Sequence, residues 1–388
     1  MKTTKRLALA STLLGLTATA SGTAHAQSSV TLYGITDAGI SYLKTSTGNR
    51  FSLLSGGLSG DRWGLKGSED LGGGLKAIFQ LESGFSIGTG KLAQGGREFG
   101  RQSFAGLTSE RLGSVVAGRM YDPIVDLVQP LTADGAGGSV PFATPGDVDN
   151  NDFSARVSNA VKYLSPTFGR VRFEALVAPG GVAGSLGQGY TLSAAALYAG
   201  GPLKIAAGYF QAANADGTTA IRTGWNSASS DSFFQGGSIN AAYQSAHVIG
   251  VAQVAAQYEV GALQLGAGYS NARYTADGHS AFANTERFDT GRVYGFYRVT
   301  PALRLGAGYV FTSASGDASA HYNEVSAGTF YRLSKLTDVY LTAAFERASG
   351  TQRTTSGGLQ AARATISSYG IDGSGTQTIV TAGLRHRF

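Results

Sequence analysis

The sequence alternates apolar and polar side chains with a period of two, segment after segment, and no other feature narrows the possible folds as strongly. Over residues 30–42 the even positions read Val30, Leu32, Gly34, Thr36, Ala38, Ile40 and Tyr42, while the odd ones include Thr31, Tyr33, Asp37 and Ser41. Over residues 169–178, Val171, Phe173, Ala175 and Val177 face one way and Arg170, Arg172 and Glu174 the other. Residues 76–84 and 338–348 repeat the pattern, with Ala77, Phe79 and Leu81 and then Val339, Leu341, Ala343 and Phe345 on the apolar side. Successive side chains of a strand point to opposite faces, so each segment reads as a strand with one apolar and one polar face. Two arginines and a glutamate on one face require water.

The punctuation between strands has its own regularity. Tight turns are expected at 69–74, 109–113, 166–169, 199–202, 260–262, 299–302 and 333–337. They alternate with longer, more polar connections near 44–58, 84–98, 120–155, 179–188, 212–250, 276–287, 315–321 and 349–375. Seven short and eight long connections make sixteen strands. Strict alternation of this kind fits an all-β, up-and-down antiparallel barrel across an outer membrane, with tight turns on one rim and long external loops on the other. Closure removes the strand edges that lipid could not satisfy.

Composition agrees. Charged residues are only 14%, there are 57 glycines, and Tyr and Phe together number 37, where a soluble protein carries nearer ~25% charged residues. The 42% hydrophobic content argues against disorder. An internal repeat adds to the case. Gly201-Pro202-Leu203-Lys204-Ile205-Ala206-Ala207-Gly208-Tyr209 matches Gly261-Ala262-Leu263-Gln264-Leu265-Gly266-Ala267-Gly268-Tyr269 and Pro301-Ala302-Leu303-Arg304-Leu305-Gly306-Ala307-Gly308-Tyr309. Each copy is a turn followed by a strand, and its tyrosine falls near one level, as an interfacial aromatic girdle requires.

Residues 1–26 read as a cleaved secretory signal: Lys2, Lys5 and Arg6 form a basic head, residues 7–20 an apolar core, and Ala24-His25-Ala26 a small-x-small cleavage site. The domain to be placed in the membrane is then 27–388. Removing three basic residues from 31 leaves 28 against 25 acidic ones, an excess of +3 that is too small to argue for nucleic acid. Cysteine is absent, so no disulfide holds the exported chain together.

The longest irregular segments include residues 120–155, which hold no Lys or Arg, six aspartates (Asp122, Asp126, Asp134, Asp147, Asp149, Asp152) and four of the eight prolines. Asp122 is a good helix N-cap, Pro123 fits the first helical position and Pro130 stops the helix near Val128. The segment reads as an acidic loop with one short helix, folded against a partner; the alternative is a solvated surface insertion.

Four separated motifs carry a family resemblance: residues 27–34 (QSSVTLYG), 62–76 (RWGLKGSEDLGGGLK), 159–166 (NAVKYLSP) and 383–388 (GLRHRF). In this order they resemble the general diffusion porins of betaproteobacteria, in the Gram-negative porin family. The resemblance implies a sixteen-stranded transmembrane β-barrel assembled as a trimer, whose third external loop folds inward to narrow the pore; here that loop is 120–155. It implies passive diffusion of small hydrophilic solutes and ions across the cell outer membrane, among lipid and lipopolysaccharide. By motif, Arg62, Arg101 and Arg156 correspond to the arginines on the barrel wall opposite that loop, with Arg119 a fourth candidate. Asp122, Asp126 and Asp134 are the loop acids expected to face them. Phe388 matches the terminal aromatic recognised by the barrel assembly machinery. Guanidinium stays charged and binds carboxylate or phosphate through paired hydrogen bonds, so a weak anion preference is expected.

Other classes are less well supported. The glycine clusters at 56–60 and 72–74 lack the Gly-x-Gly-x-x-Gly spacing of a phosphate loop. The four histidines beyond the signal, His247, His279, His321 and His386, have neither metal spacing nor Ser/Asp partners, so no enzyme, cofactor, metal or nucleic-acid function is expected. A substrate-specific channel for a small organic anion or sugar is the alternative reading.

Overall fold

The computed structural model describes residues 28–388 apart from 46–47, 153, 186, 216–219, 228, 235–238 and 370–373. The signal expected over 1–26 lies outside the described residues. The chain forms one antiparallel barrel of sixteen staves. Nineteen strand segments make these sixteen because Gly48–Ser55 and Arg62–Gly72 both pair with Ser29–Thr45 and form one broken stave. Two short pieces, Ser230–Asp231 and Leu359–Ala361, add to the long-loop rim. Closure runs between Ser29–Thr45 and Thr376–Arg387, in register from Ile35↔Arg387 to Lys44↔Thr378. Phe388 finishes this seam: its N–H donates to the Gly34 carbonyl (3.1 Å), and the Gly34 N–H donates to the Phe388 carbonyl (3.0 Å). A Cβ at Gly34 would overlap the Phe388 ring, so glycine makes the room in which that ring lies.

The seven tight turns fall where the sequence places them. Gly201 and Gly261, equivalent in the repeat, both adopt φ +58°, a left-handed conformation that glycine reaches without the usual Cβ cost. The third copy has Pro301 instead, and its four-residue turn is closed by the Thr300 hydroxyl accepting from the Leu303 N–H (3.0 Å). Two expected loops are shorter than the sequence suggests. Strand continues to Thr45 and resumes at Gly48, so most of 44–58 is hairpin, with Phe51 and Leu53 on the outer face. Leu303–Ser315 and Ser319–Arg332 meet across three residues, because the alternation runs on through Ala314 and Ala320.

Outward side chains sort by depth. Tyr209, Tyr269 and Tyr309, from the three repeat copies, lie exposed on the outer surface, and Tyr198, Tyr258, Tyr297, Tyr331 and Phe388 do so nearer the short turns. Ile205, Val254, Leu265, Val293 and Leu341 are exposed on the same outer surface, Ile205 and Leu265 opposite Tyr198 and Tyr258, and Val254 and Val293 opposite Tyr269 and Tyr309. An apolar belt flanked by aromatic girdles is the surface a bilayer requires of a barrel.

The largest buried apolar cluster lies inside the barrel. The described residues of 121–155 pack on the inward faces of the strands. The helix Pro123–Leu127 starts where Asp122 caps it, the Ile124 N–H donating to Asp122 Oδ1 (2.8 Å), and ends with Val128 N–H on the Ile124 carbonyl (2.8 Å). Ile124, Leu127, Val128 and Leu131 pack with Leu176, Ala195, Ala206 and Phe210 of the wall. At ~1.5–3 kcal/mol for each fully buried aliphatic side chain, these four contribute on the order of 6–12 kcal/mol to holding the segment inside. Leu176 and Ala206 occupy the face that elsewhere carries polar residues, so the alternation becomes apolar on both sides where the loop lands.

Candidate functional site: an arginine-lined gap beside the inward loop

The loop is held along its length by wall side chains that satisfy its carbonyls. Tyr294 Oη donates to the Leu131 carbonyl (2.9 Å), Tyr274 Oη to Val148 (2.7 Å) and Gln253 Nε2 to Asp149 (2.6 Å). Arg304 gives Nη1 to Ala136 O (2.9 Å) and Nη2 to Gly137 O (2.8 Å), while its guanidinium lies over the rings of Phe296 and Phe330 at 4.5 and 4.7 Å. Arg292 forms an ion pair with the carboxylate of Asp149, which also accepts from the Ser270 hydroxyl. Opposite this wall, Ser139 Oγ donates to the Gly57 carbonyl (2.6 Å). The segment therefore spans from the strands around 248–304 to the break at 56–61. That break is itself fixed by Asp37, whose carboxylate accepts from Leu58 N–H (2.7 Å), Ser59 N–H (2.8 Å) and Tyr340 Oη (2.7 Å).

Beside the loop lies an open pocket of about 170 Å³, a gap lined by Gly60, Arg101, Asp134, Val140, Asp152 and Arg156 among others. Arg101 and Arg156 converge on Tyr121, the second residue of the loop. Arg101 Nη2 donates to Tyr121 Oη at 2.7 Å and Arg156 Nη2 at 2.9 Å, and the Arg156 guanidinium lies 4.8 Å from the ring centroid. Arg101 is further fixed by Glu82 (Nε to Oε1, 2.7 Å). Arg62, whose Nε donates to Gly60 O (2.9 Å), stands close enough to interact electrostatically with Arg101, Arg156, Tyr121 and Glu82. Burial alone would push the Tyr121 phenol up, but the guanidiniums of Arg101, Arg156 and Arg62 outweigh it and hold it below its ordinary value.

Thus the three motif-matched arginines come together, Arg62 and Arg156 from the first positions of two strands and Arg101 from the residue just before a third. Arg119 stays within electrostatic reach of Arg156 but spends its guanidinium on other partners: it makes two contacts to Asp231 (3.0 and 2.9 Å) and donates Nε to Gly100 O (2.8 Å). The three nominated loop acids separate as well. Asp134 lines the gap, its Oδ2 accepting from Gln129 Nε2 (2.6 Å). Asp122 is spent as the helix cap, with Ser193 Oγ at 3.2 Å, and burial raises its carboxyl to about 6. Asp126 turns to the wall and pairs with Lys162, whose Nζ also donates to Tyr121 O (3.1 Å).

Sequence reasoning did not single out three participants. Tyr121 organises the arginines, and its one sequence signal is an aromatic directly after the strand that ends at Met120. Asp152 lines the gap through the fold of a distant loop: the hydroxyls of Ser367 and Ser368 donate to it. Burial raises its carboxyl to about 6, against the pull of those hydroxyls and of Arg156 and Arg101. Burial and the neighbouring Asp152 raise Asp134 as well. Glu82 is the third, visible beforehand only as one polar residue in an alternating strand.

These placements separate wall residues from gap residues. Asp126→Ala is expected to leave ion selectivity unchanged and to lower barrel stability by about 1.5–3 kcal/mol, the usual worth of a hydrogen bond to a charged group. The checks are reversal potential and the unfolding temperature of the heat-modifiable band. A changed permeability ratio would return Asp126 to the gap.

A family model described as Gram-negative porin matches residues 10–351. An outer membrane porin protein of Bordetella pertussis is 40% identical over 184 residues, 44% of this chain and 46% of that one. Outer membrane porin protein 32 of Delftia acidovorans is 39% identical over 158 residues, 39% of this chain and 44% of that one; in both cases the chain spans somewhat under half the relative's length. Among solved structures, an anion-selective porin from Comamonas acidovorans superposes with a TM-score of 0.69 over 93% of this chain and 100% of that one, at 24% identity, a likeness of fold.

Proposed function

Because the chain belongs to the Gram-negative porin family, we propose that it is a passive outer-membrane channel for small hydrophilic solutes and ions, with a weak preference for anions. The observation that carries the preference is the meeting of Arg101 and Arg156 on Tyr121 at the gap, with Arg62 within electrostatic reach of both. Glu82 is committed to Arg101, and the two acids that line the gap, Asp134 and Asp152, are both held above the ordinary carboxylate range. At neutral pH the narrow part is close to balanced, with a small positive excess as those acids take up protons. Two unit charges ~10 Å apart in water interact by only ~0.4 kcal/mol, and salt reduces this further. A preference of a few-fold follows, not strict exclusion of cations.

Reversal potentials of the reconstituted channel in a KCl gradient test this reading. Wild type is expected to favour chloride, and Arg62→Gln with Arg156→Gln to lose most of the preference. Arg101 is left in place because its removal would strand the Glu82 carboxylate. As pH falls through about 6 Asp152 takes up its proton, so chloride preference should rise; Asp152→Asn should flatten that rise. Cation preference in wild type, or an unchanged ratio in the double variant at low salt, would overturn the proposal.

Assembly belongs to the same reading. We infer that residues 1–26 are removed on export, that three copies associate through their apolar outer faces in lipopolysaccharide-bearing lipid, and that Phe388 is the mark read by the barrel assembly machinery. The support is the Phe388–Gly34 seam and the outward belt. Deleting Phe388 should sharply reduce a heat-modifiable three-chain complex measured by light scattering in mild detergent. Normal yield after the deletion, or a monomeric wild type, would contradict this.

A further inference from the structure

On the short-turn side of the loop tip lies a second cavity, of about 750 Å³, that shares no lining residue with the arginine gap. Arg298, Arg304, Arg332, Arg385 and Arg387 line it, from the ends of four strands, against only two carboxylates, Glu259 and Asp338. Both carboxylates are engaged. Asp338 Oδ2 takes Arg385 Nη2 and Arg387 Nη1, each at 2.9 Å, and Glu259 Oε1 lies 3.5 Å from Lys204 Nζ. Five positive charges against two leave an excess of +3 in one chamber.

Two features separate this from an ordinary solvated rim. Arg298 and Arg304 stand directly opposite each other on adjacent strands, an arrangement of like charges that destabilises a sheet unless something neutralises it. Among the described residues Arg298 has no ion-pair partner, and Arg332 reaches Asp338 only at 4.0 Å. Arg304, by contrast, is already immobilised over Phe296 and Phe330 with its guanidinium on the loop carbonyls. The chamber thus has an apolar and cationic floor beneath one guanidinium without an ion pair among the described residues and one held only at 4.0 Å, at a volume within the ~300–1,000 Å³ of small-molecule sites.

We propose that this turn-side chamber is a binding site for small multivalent anions, bearing two or more carboxylate or phosphate groups, which bridge Arg298 and Arg332 over the Arg304 floor. Guanidinium forks suit such groups because each offers two parallel N–H donors. The site rests on the channel reading for its access, since solute reaches the chamber through the pore or the short-turn mouth. It gives the channel a holding point on the exit side of the constriction, where a polyanion is retained while chloride passes.

Citrate is the probe. In planar bilayers, citrate added on the short-turn side should block KCl current saturably, at lower concentration than from the loop side. Arg298→Gln with Arg332→Gln should raise the half-blocking concentration about tenfold, the change that ~1.4 kcal/mol produces, with KCl conductance kept. Arg298→Lys with Arg332→Lys should retain more of the block than the glutamine pair. Calorimetric titration of citrate into detergent-solubilised protein at low salt should show the same loss of affinity in the glutamine variant. That second readout needs no current, so a protein that binds citrate but does not conduct sinks the channel reading alone. If the double variant does not assemble, Arg332→Gln by itself, at the exposed rim, carries the test with a smaller shift. Equal half-block and equal affinity in wild type and variant, or block abolished only by changing Arg62 and Arg156, would overturn the site.

Discussion

A backbone that crosses hydrocarbon has no water for its N–H and C=O groups, and each one left unpaired costs several kcal/mol. The closed ladder from Ser29–Thr45 round to Thr376–Arg387 answers that constraint, and the rest of the molecule follows from it. Closure sends alternate side chains to lipid and to the lumen. The lumen of a sixteen-stave barrel is too wide for its own side chains to fill, which leaves room for residues 121–155 to enter. Once inside, that segment meets the same constraint on a smaller scale, and Tyr294, Tyr274, Gln253 and Arg304 answer it by donating to its carbonyls.

The loop is thereby a partition with two unlike sides. Its base is an apolar plug against the wall around Ala206 and Phe210; its free edge, from Asp134 to Asp152, bounds the gap opposite Arg101 and Arg156. The charges most visible in the sequence are unevenly used. Asp122 caps a helix, Asp126 neutralises Lys162 and Asp149 anchors to Arg292, so half of the six aspartates hold the partition in place. Burial raises the carboxyls of the other three, so the balance shifts toward the arginines as pH falls.

Strand identity, the count of sixteen, the seven tight turns and the short helix behind Asp122 were all legible in the sequence, because period-two alternation, turn chemistry and capping are local. The loop lengths at 44–58 and 315–321 were not, since polar, glycine-containing strand ends resemble loops until their pairing is seen. Arg62, Arg101 and Arg156 could be nominated by motif and do converge. The aspartate that joins Asp134 at the gap could not: Asp152 depends on Ser367 and Ser368, more than two hundred residues away. Tyr121 and the turn-side arginines escaped for a related reason. An alternating pattern says that a side chain faces the lumen, not which neighbours closure will bring to it.

Ion passage between the free edge of the loop and the arginine wall can be tested directly, because the chain contains no cysteine. Val140 lines that gap and is half-buried, so a single Val140→Cys can be labelled there with a negatively charged methanethiosulfonate. Single-channel current should fall in steps as labelling proceeds, and the reversal potential should shift toward cations. Complete labelling, verified by mass, with current and reversal potential unchanged would place the conducting path elsewhere.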